Sequence, residues 1–291
     1  MMKPGTVETI LFKRILFAIL SFLLLPLPDH ADVTITQRLG IKGQNPVSGR
    51  VRKIMIKGQK MRIESQRDSG LFITVFDLDA GREMVWESKG KVASVFDLAE
   101  ESTRHKKDLK LFKTSVQPTG ETKQVLGVTC QELRYELVAA KPPMRGSGTR
   151  LTGTICVSHG VPGSADFAQF AQEAKSHGYL LGATSDVVDP LSVLFLAIAD
   201  LDGLPLESSE RYENSGFMVA PGAGVFTSDL STEAYSVVTD IANDPLSEEL
   251  FRTPDGRKIK KDRSMGLSVP IQLRMGKMQL SFSARIHTTK N

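Results

Sequence analysis

The chain has 291 residues, of which 41% are hydrophobic and 24% charged, and its formal net charge is +4. This composition is that of a globular protein, and the length allows one large all-β domain or two small domains. The positive charge is too small to favour nucleic acid as a partner.

The N-terminus predicts export. Lys13 and Arg14 precede an eleven-residue apolar run at 15–25, which is typical of a secretory signal peptide. The run is shorter than the roughly 20 residues of a membrane span. We therefore predict a cleaved signal peptide at residues 1–31 and a periplasmic or extracellular protein, with an uncleaved membrane anchor as the alternative.

The next segment predicts a β-meander, because short runs of strand-forming residues alternate with tight turns. A meander of this kind builds an antiparallel sheet with one face available for a core or a ligand. The predicted strands are at 50–57, 61–65, 71–77, 83–87 and 91–98.

Two further strands, at 128–139 and 149–158, predict a hairpin. Cys130 and Cys156 are equidistant from residue 143 in its loop, so we expect them to face each other across the hairpin. An isolated cysteine pair in an oxidising compartment predicts a disulfide. Two small buried thiols are the alternative.

Helical patterns interrupt the strands. A charged stretch at 99–114 predicts a solvated helix or linker. Ser164 and Gly178 are typical start and stop residues for a helix at 165–177. A second helix at 190–201 is apolar nearly all round, which favours a buried plug over the sheet, or a movable lid.

The C-terminal third returns to strand patterns. One helical turn is predicted at 244–251, and a basic stretch follows at 257–263. The predicted strands are at 206–213, 216–220, 224–226 and 232–241, with a last hairpin of 267–274 and 278–287.

Candidate residues for chemistry are few. Cys156 and His159 have a zinc-like spacing, but only Cys130 and His177 remain to complete a four-ligand site. Acidic residues within 77–83 surround a turn, which explains them better than calcium does. No nucleophile elbow, P-loop, dinucleotide fingerprint or zinc-protease helix is present. We therefore expect no catalytic residues, metal or cofactor, and a hydrolase is the least favoured class.

Several sequence motifs together resemble those of an exported family related to the outer-membrane lipoprotein carriers, which have the LolA/LolB-like fold. The first is the meander at 60–64, 73–77, 83–86 and 92–97. The others are the G-x-x-C strand ending at Cys130, the G-x-P entry at 203–205 and the F-x-x-P-x-G phrase at 251–256.

This resemblance implies an α+β fold, in which a curved antiparallel sheet forms a half-open β-barrel and helices close one face. The lipoprotein-carrier-like domain would span residues 32–263, with a helical insertion at 164–202. Residues 264–291 would add a C-terminal β-hairpin. The interior implied is hydrophobic and able to hold acyl chains or an apolar peptide.

We therefore predict a non-enzymatic binding protein for a lipid or other apolar ligand. The predicted lining residues are Phe72, Val75, Trp86, Val95 and Phe195. Plain core packing is the alternative for each of them.

The rival function is a structural or interaction protein of the cell envelope, with a sheet filled by its own side chains. Two basic segments would then contact an anionic membrane surface. One runs from Arg104 to Lys113 and the other from Arg257 to Arg263.

Overall fold

A computed structural model describes residues 32–41, 50–67, 70–105, 112–139, 148–181, 199–220, 224–261, 271–275 and 278–282. The chain divides into residues 1–30 and 31–291, and all described residues belong to the second unit. The predicted signal peptide at 1–31 lies outside the described residues, and so do residues 190–198 of the predicted helix at 190–201. Residues 199–201 are described and form a turn and a bend, not a helix. The predicted domain boundaries remain predictions.

The described part of the chain is mostly β. Its first strands are β1 (Val33–Ile41), β2 (Arg50–Lys57), β3 (Lys60–Arg67), β4 (Gly70–Asp77), β5 (Arg82–Glu87) and β6 (Val92–Asp97). The next are β7 (Phe112–Val125), β8 (Val128–Ala139), β9 (Gly148–Ser158), β10 (Leu204–Ala220) and β11 (Gly224–Ala242). The last are β12 (Lys258–Lys261), β13 (Ile271–Met275) and β14 (Met278–Phe282).

Twelve strands form one sheet in the order β12-β6-β5-β4-β3-β2-β1-β11-β10-β9-β8-β7, and β13 pairs with β14 separately. All neighbours in the large sheet are antiparallel except β12 and β6. The sheet is not closed, since β12 and β7 form its two edges.

Helix is scarce in the described residues, which contain α1 (Leu98–His105), α2 (Ser164–Ser176) and a 3-10 turn, Glu248–Phe251. Neither α-helix there is long and apolar enough to cross a membrane. The predicted α+β class is therefore corrected to mostly β. One reason is that the stretch predicted as helix or linker at 99–114 already contains the start of β7 at Phe112.

The predicted helix at 165–177 is confirmed as α2, with ends that differ in detail. Gly163 occupies the N-cap in the left-handed conformation, and Ser164 makes no side-chain cap. Gly178 ends the helix as predicted: its N–H donates to the Lys175 carbonyl at 2.9 Å, and the Tyr179 N–H donates to the Ala174 carbonyl at 2.8 Å. This pair of bonds is a Schellman motif.

The first half of the sheet is covered on both faces. On the face that we call the helix face, Ile54, Ile56 and Phe76 pack in one buried cluster with Phe167 and Phe170 of α2. On the opposite face, which we call the tail face, Ile73, Val75 and Trp86 pack with Phe251 and Leu250 of the 3-10 turn. Strand alternation assigns neighbouring residues to these two faces.

Candidate functional site

The predicted lining residues do not share one surface. Val75 pairs with Met84, and Met84 pairs with Val95, so Val75 and Val95 lie on the tail face. Trp86 pairs with Ile73, so it also lies on the tail face. Phe72 is one residue out of phase with Ile73 and projects from the helix face. Phe195 lies outside the described residues.

The tail face around Trp86 is filled by the C-terminal segment 246–251. Val75 and Trp86 are 0% and 2% exposed, and Phe251 is 2% exposed in the same cluster. Leu246, Leu250 and Val95 pack against that cluster as partly buried residues. A ligand could occupy this position only if the segment moved away.

Three cationic side chains hold that segment on the sheet. The Lys57 ammonium donates to the Asp32 carboxylate at 2.9 Å and to the Leu246 carbonyl at 2.8 Å. Arg62 donates to the Leu250 carbonyl at 2.6 Å, and its guanidinium lies 5.5 Å from the centre of the Trp86 ring. Lys60 pairs with Glu248 at 2.7 Å.

A different group of polar residues crosses the helix face in the second half of the sheet. Tyr135 of β8 pairs with Gly153 of β9, and Gly153 pairs with Glu210 of β10. Because Gly153 has no side chain, the Tyr135 ring lies across it: a Cβ at residue 153 would stand 2.6 Å from the Tyr135 hydroxyl oxygen. The ring therefore extends from β8 over β9, towards Glu210.

Two serines continue this polar row. The Ser208 hydroxyl donates to the Glu210 carboxylate at 3.3 Å and lies 2.8 Å from the Ser236 hydroxyl. Because the Ser208 hydroxyl has one proton, Ser236 must donate to Ser208 when Ser208 donates to Glu210. Glu210 thus has a defined position on the helix face.

Arg52 of β2 belongs to the same face, because it pairs with Gln37 and Gln37 pairs with Val238, two residues from Ser236. Burial lowers the pKa of Arg52, and the Glu210 carboxylate opposes that effect. Burial also raises the pKa of Tyr135, and the Glu210 carboxylate raises it further. Both residues therefore interact electrostatically with one carboxylate.

Two donor atoms in this group have no hydrogen-bond partner within the described part of the chain: Arg52 Nε and the Tyr135 hydroxyl. Tyr135 is 1% exposed, and a buried polar group without a partner is costly. The group, which we call the Tyr135–Glu210–Arg52 cluster, thus contains two donors that the described residues leave unsatisfied, and an acceptor would have to enter the interior to reach them.

An apolar strip adjoins the cluster on the helix face. It contains Leu133, Leu137, Leu151, Ile155 and Val157, and each is 9% exposed or less. Leu133 and Leu137 stand on either side of Tyr135 along β8. Four partly buried residues pack against the strip, Phe112, Val116, Leu201 and Tyr212. As on the tail face, a ligand could reach the strip only if its cover moved aside.

The predicted disulfide between Cys130 and Cys156 is present, with a Cα–Cα distance of 5.4 Å. The predicted direct pairing is wrong, because Cys156 stands opposite Glu132 and the bond therefore runs diagonally. The bond removes Cys156 as a zinc-binding thiolate. Disulfides persist in oxidising compartments, so this bond favours an extracytoplasmic location.

The remaining polar features have structural explanations. Asp77 accepts from the Ala80 N–H at 3.0 Å and from Arg82 at 3.2 Å, which confirms the turn role. No group of three metal-ligating side chains occurs among the described residues. An open depression of about 270 Å³ lies over β8 and β9, but a 2.6 Å ion pair between Arg150 and Glu136 spans it.

Comparisons with known proteins give distant structural similarity only. No family model and no curated protein sequence matches the chain. An uncharacterised conserved protein from Thermus thermophilus is similar with a TM-score of 0.35 and 9% identity, over 80% of this chain and 92% of its own. A candidate outer membrane lipoprotein-sorting protein domain from Vibrio parahaemolyticus gives 0.27 and 7%, over 77% and 90%.

Sequence reasoning missed Arg52, Tyr135 and Glu210 as a group. Arg52 and Glu210 stand in strands rich in charged residues, where each resembles an ordinary solvated side chain. One signal was available: Tyr135 alternates with Leu133 and Leu137 on the apolar side of β8. A tyrosine at such a position predicts a buried hydroxyl that needs a partner.

Proposed function

We propose that this chain is an exported, non-enzymatic binding protein that holds a lipid, an acyl chain or another apolar ligand against a curved, half-open β-sheet. The observation that carries the proposal is the apolar strip of β8 and β9, which flanks the Tyr135 hydroxyl, a buried donor without a partner among the described residues. Ligand sites combine these features, since apolar walls provide affinity and a few polar groups fix orientation.

Apolar burial supplies enough free energy for such a ligand. Each buried methylene contributes about 0.8 kcal/mol. About ten buried methylenes would thus contribute about 8 kcal/mol, from which the entropic cost of association is subtracted. A fatty acyl chain could be held in this way without a specific polar contact along its length.

The proposal places the protein in the periplasm or outside the cell. The disulfide between Cys130 and Cys156 supports this location, and so does the signal-like segment at residues 1–31. The sequence resemblance to lipoprotein carriers agrees with an apolar cargo.

Native mass spectrometry of protein purified from its own host tests the proposal, together with uptake of a fluorescent fatty acid. We expect a co-purifying lipid or saturable uptake. Leu137→Trp should reduce uptake by filling the strip, whereas Val51→Trp at a site that is 44% exposed should not. Circular dichroism establishes that both variants fold. A protein that carries no lipid and takes up no fatty acid would exclude the proposal.

The second candidate is a structural or interaction protein of the cell envelope with a self-filled core. The filled tail face favours it, because segment 246–251 already covers Val75 and Trp86. In this case the exposed basic strand β12 would contact an anionic surface. Most of the segment from Arg104 to Lys113 lies outside the described residues. Binding to anionic vesicles that disappears at high salt, without fatty acid uptake, would support this candidate.

A further inference from the structure

The Tyr135–Glu210–Arg52 cluster indicates which kind of head group an acyl ligand would carry. This inference rests on the proposed function and deepens it. Two of the three residues offer a donor atom without a partner in the described part of the chain, Arg52 Nε and the Tyr135 hydroxyl. The third residue, Glu210, is a carboxylate held by Ser208 at 3.3 Å.

We propose that this cluster binds the uncharged carbonyl head of an acyl ester or acyl amide, in preference to the carboxylate of a free fatty acid. A carbonyl oxygen accepts hydrogen bonds from hydroxyl and guanidinium donors without adding charge. The ligand class is therefore an acylated molecule with a neutral linkage, such as a monoacylglycerol or an acylated peptide.

Charge balance supports the neutral head group. Arg52 and Glu210 carry opposite charges on the same face, so together they contribute no net charge. A fatty-acid carboxylate at Tyr135 would add a second negative charge beside Glu210, and like charges in a buried site repel strongly. An ester carbonyl meets the same donors without this repulsion.

The position of Tyr135 supports the acyl class. Its ring lies over Gly153, where a Cβ would stand 2.7 Å from the ring carbon that carries the hydroxyl. Leu133 and Leu137 flank Tyr135 on the same strand and the same face. A head group bound at the hydroxyl would therefore have its chain beside the apolar strip.

The test compares 1-monomyristoylglycerol with myristate at about pH 7 by displacement of a fluorescent fatty acid. We expect the wild-type protein to bind the monoester at least threefold more tightly. Tyr135→Phe keeps the ring over Gly153 and removes one hydrogen bond, so monoester affinity should fall about three- to tenfold. Myristate affinity should stay unchanged. The unfolding midpoint without ligand should not fall, because the variant removes a buried hydroxyl that has no partner among the described residues.

Tyr235→Phe is the matched control, because Tyr235 lies over Gly40 in the same manner but on the tail face. It should bind both ligands like the wild type. Glu210→Gln should raise myristate affinity at least threefold, since it removes the repelling charge.

The outcomes separate the two proposals. If both ligands bind equally and Tyr135→Phe binds them like the wild type, the head-group inference is wrong and the proposed function stands. If the wild type binds neither ligand, the head-group inference is overturned; if it also carries no co-purifying lipid, the proposed function falls too.

Discussion

Replacing Phe251 with alanine tests whether the tail face is core or a covered trough. Phe251 is 2% exposed and packs with Val75 and Trp86 in one buried cluster. Removing a buried phenylalanine loses its transfer free energy, about 2–3 kcal/mol, and leaves a cavity that adds to the loss. We therefore expect Phe251→Ala to lower the free energy of unfolding by about 3–5 kcal/mol.

Urea unfolding followed by circular dichroism measures this change. Trp86 is the only tryptophan in the chain and is 2% exposed, so its fluorescence reports on the same cluster. Its emission should shift to longer wavelength in the variant if water reaches the ring.

Ile259→Ala is the control, because Ile259 is 52% exposed and such surface changes stay within about 0.5 kcal/mol. A loss below about 1 kcal/mol for Phe251→Ala, with unchanged Trp86 emission, would refute the reasoning. Segment 246–251 would then be a weakly held cover, and Val75, Trp86 and Val95 would regain their predicted role as ligand-lining residues.

Three further outcomes are expected. The Cys130→Ser, Cys156→Ser double variant should lose about 3.5 kcal/mol of unfolding free energy in urea titration, because the bond closes a loop of sequence separation 26; an equal midpoint before and after reduction of the wild type would contradict this. Gly153→Ala should lower the free energy of unfolding by at least about 1 kcal/mol, because its Cβ would collide with a backbone oxygen; a stability like that of the wild type would show that the strand relaxes freely. The hydrogen bond from Lys60 lowers the pKa of Glu248, so this pair stabilises the fold above the ordinary carboxyl pKa, and the contribution is lost as pH falls through the lowered value. Glu248→Gln should thus cost less than about 1 kcal/mol at neutral pH and nothing in strong acid, and a larger cost in acid would reverse the sign of the argument.

The local parts of the fold were predictable from sequence. The meander strands at 50–57 and 71–77 follow the period-two pattern, and Gly58 and Gly81 provide the positive φ angles that their turns require. The 3-10 turn at Glu248–Phe251 also fell within the predicted helical turn. Each of these elements is determined by residues close together in the chain.

Long-range pairing was not predictable in the same way. The segments predicted as separate strands at 206–213 and 216–220 form the single strand β10, because β9 and β11 pair with it on both sides. Strand β12 is itself basic and exposed, and it pairs in parallel with β6. Nothing near residue 258 in the chain indicates that partner.

The difference between local and long-range information also explains why the sequence predicted Trp86 as a site residue whereas the structure indicates Tyr135. An apolar aromatic residue in a strand predicts burial, and Trp86 is buried, but burial does not reveal whether a ligand or segment 246–251 covers it. The Tyr135–Glu210–Arg52 cluster combines residues of β8, β10 and β2. These strands are not neighbours in the sheet, and only the pairing of β1, β11 and β9 between them sets their relative positions. Buried donors without partners are costly, so each of them calls for a specific explanation, and a bound ligand is one. The Trp86 Nε1 donor also has no partner within the described part of the chain, but segment 246–251 covers the Trp86 face. Tyr135 is therefore the first residue to change in a search for the ligand.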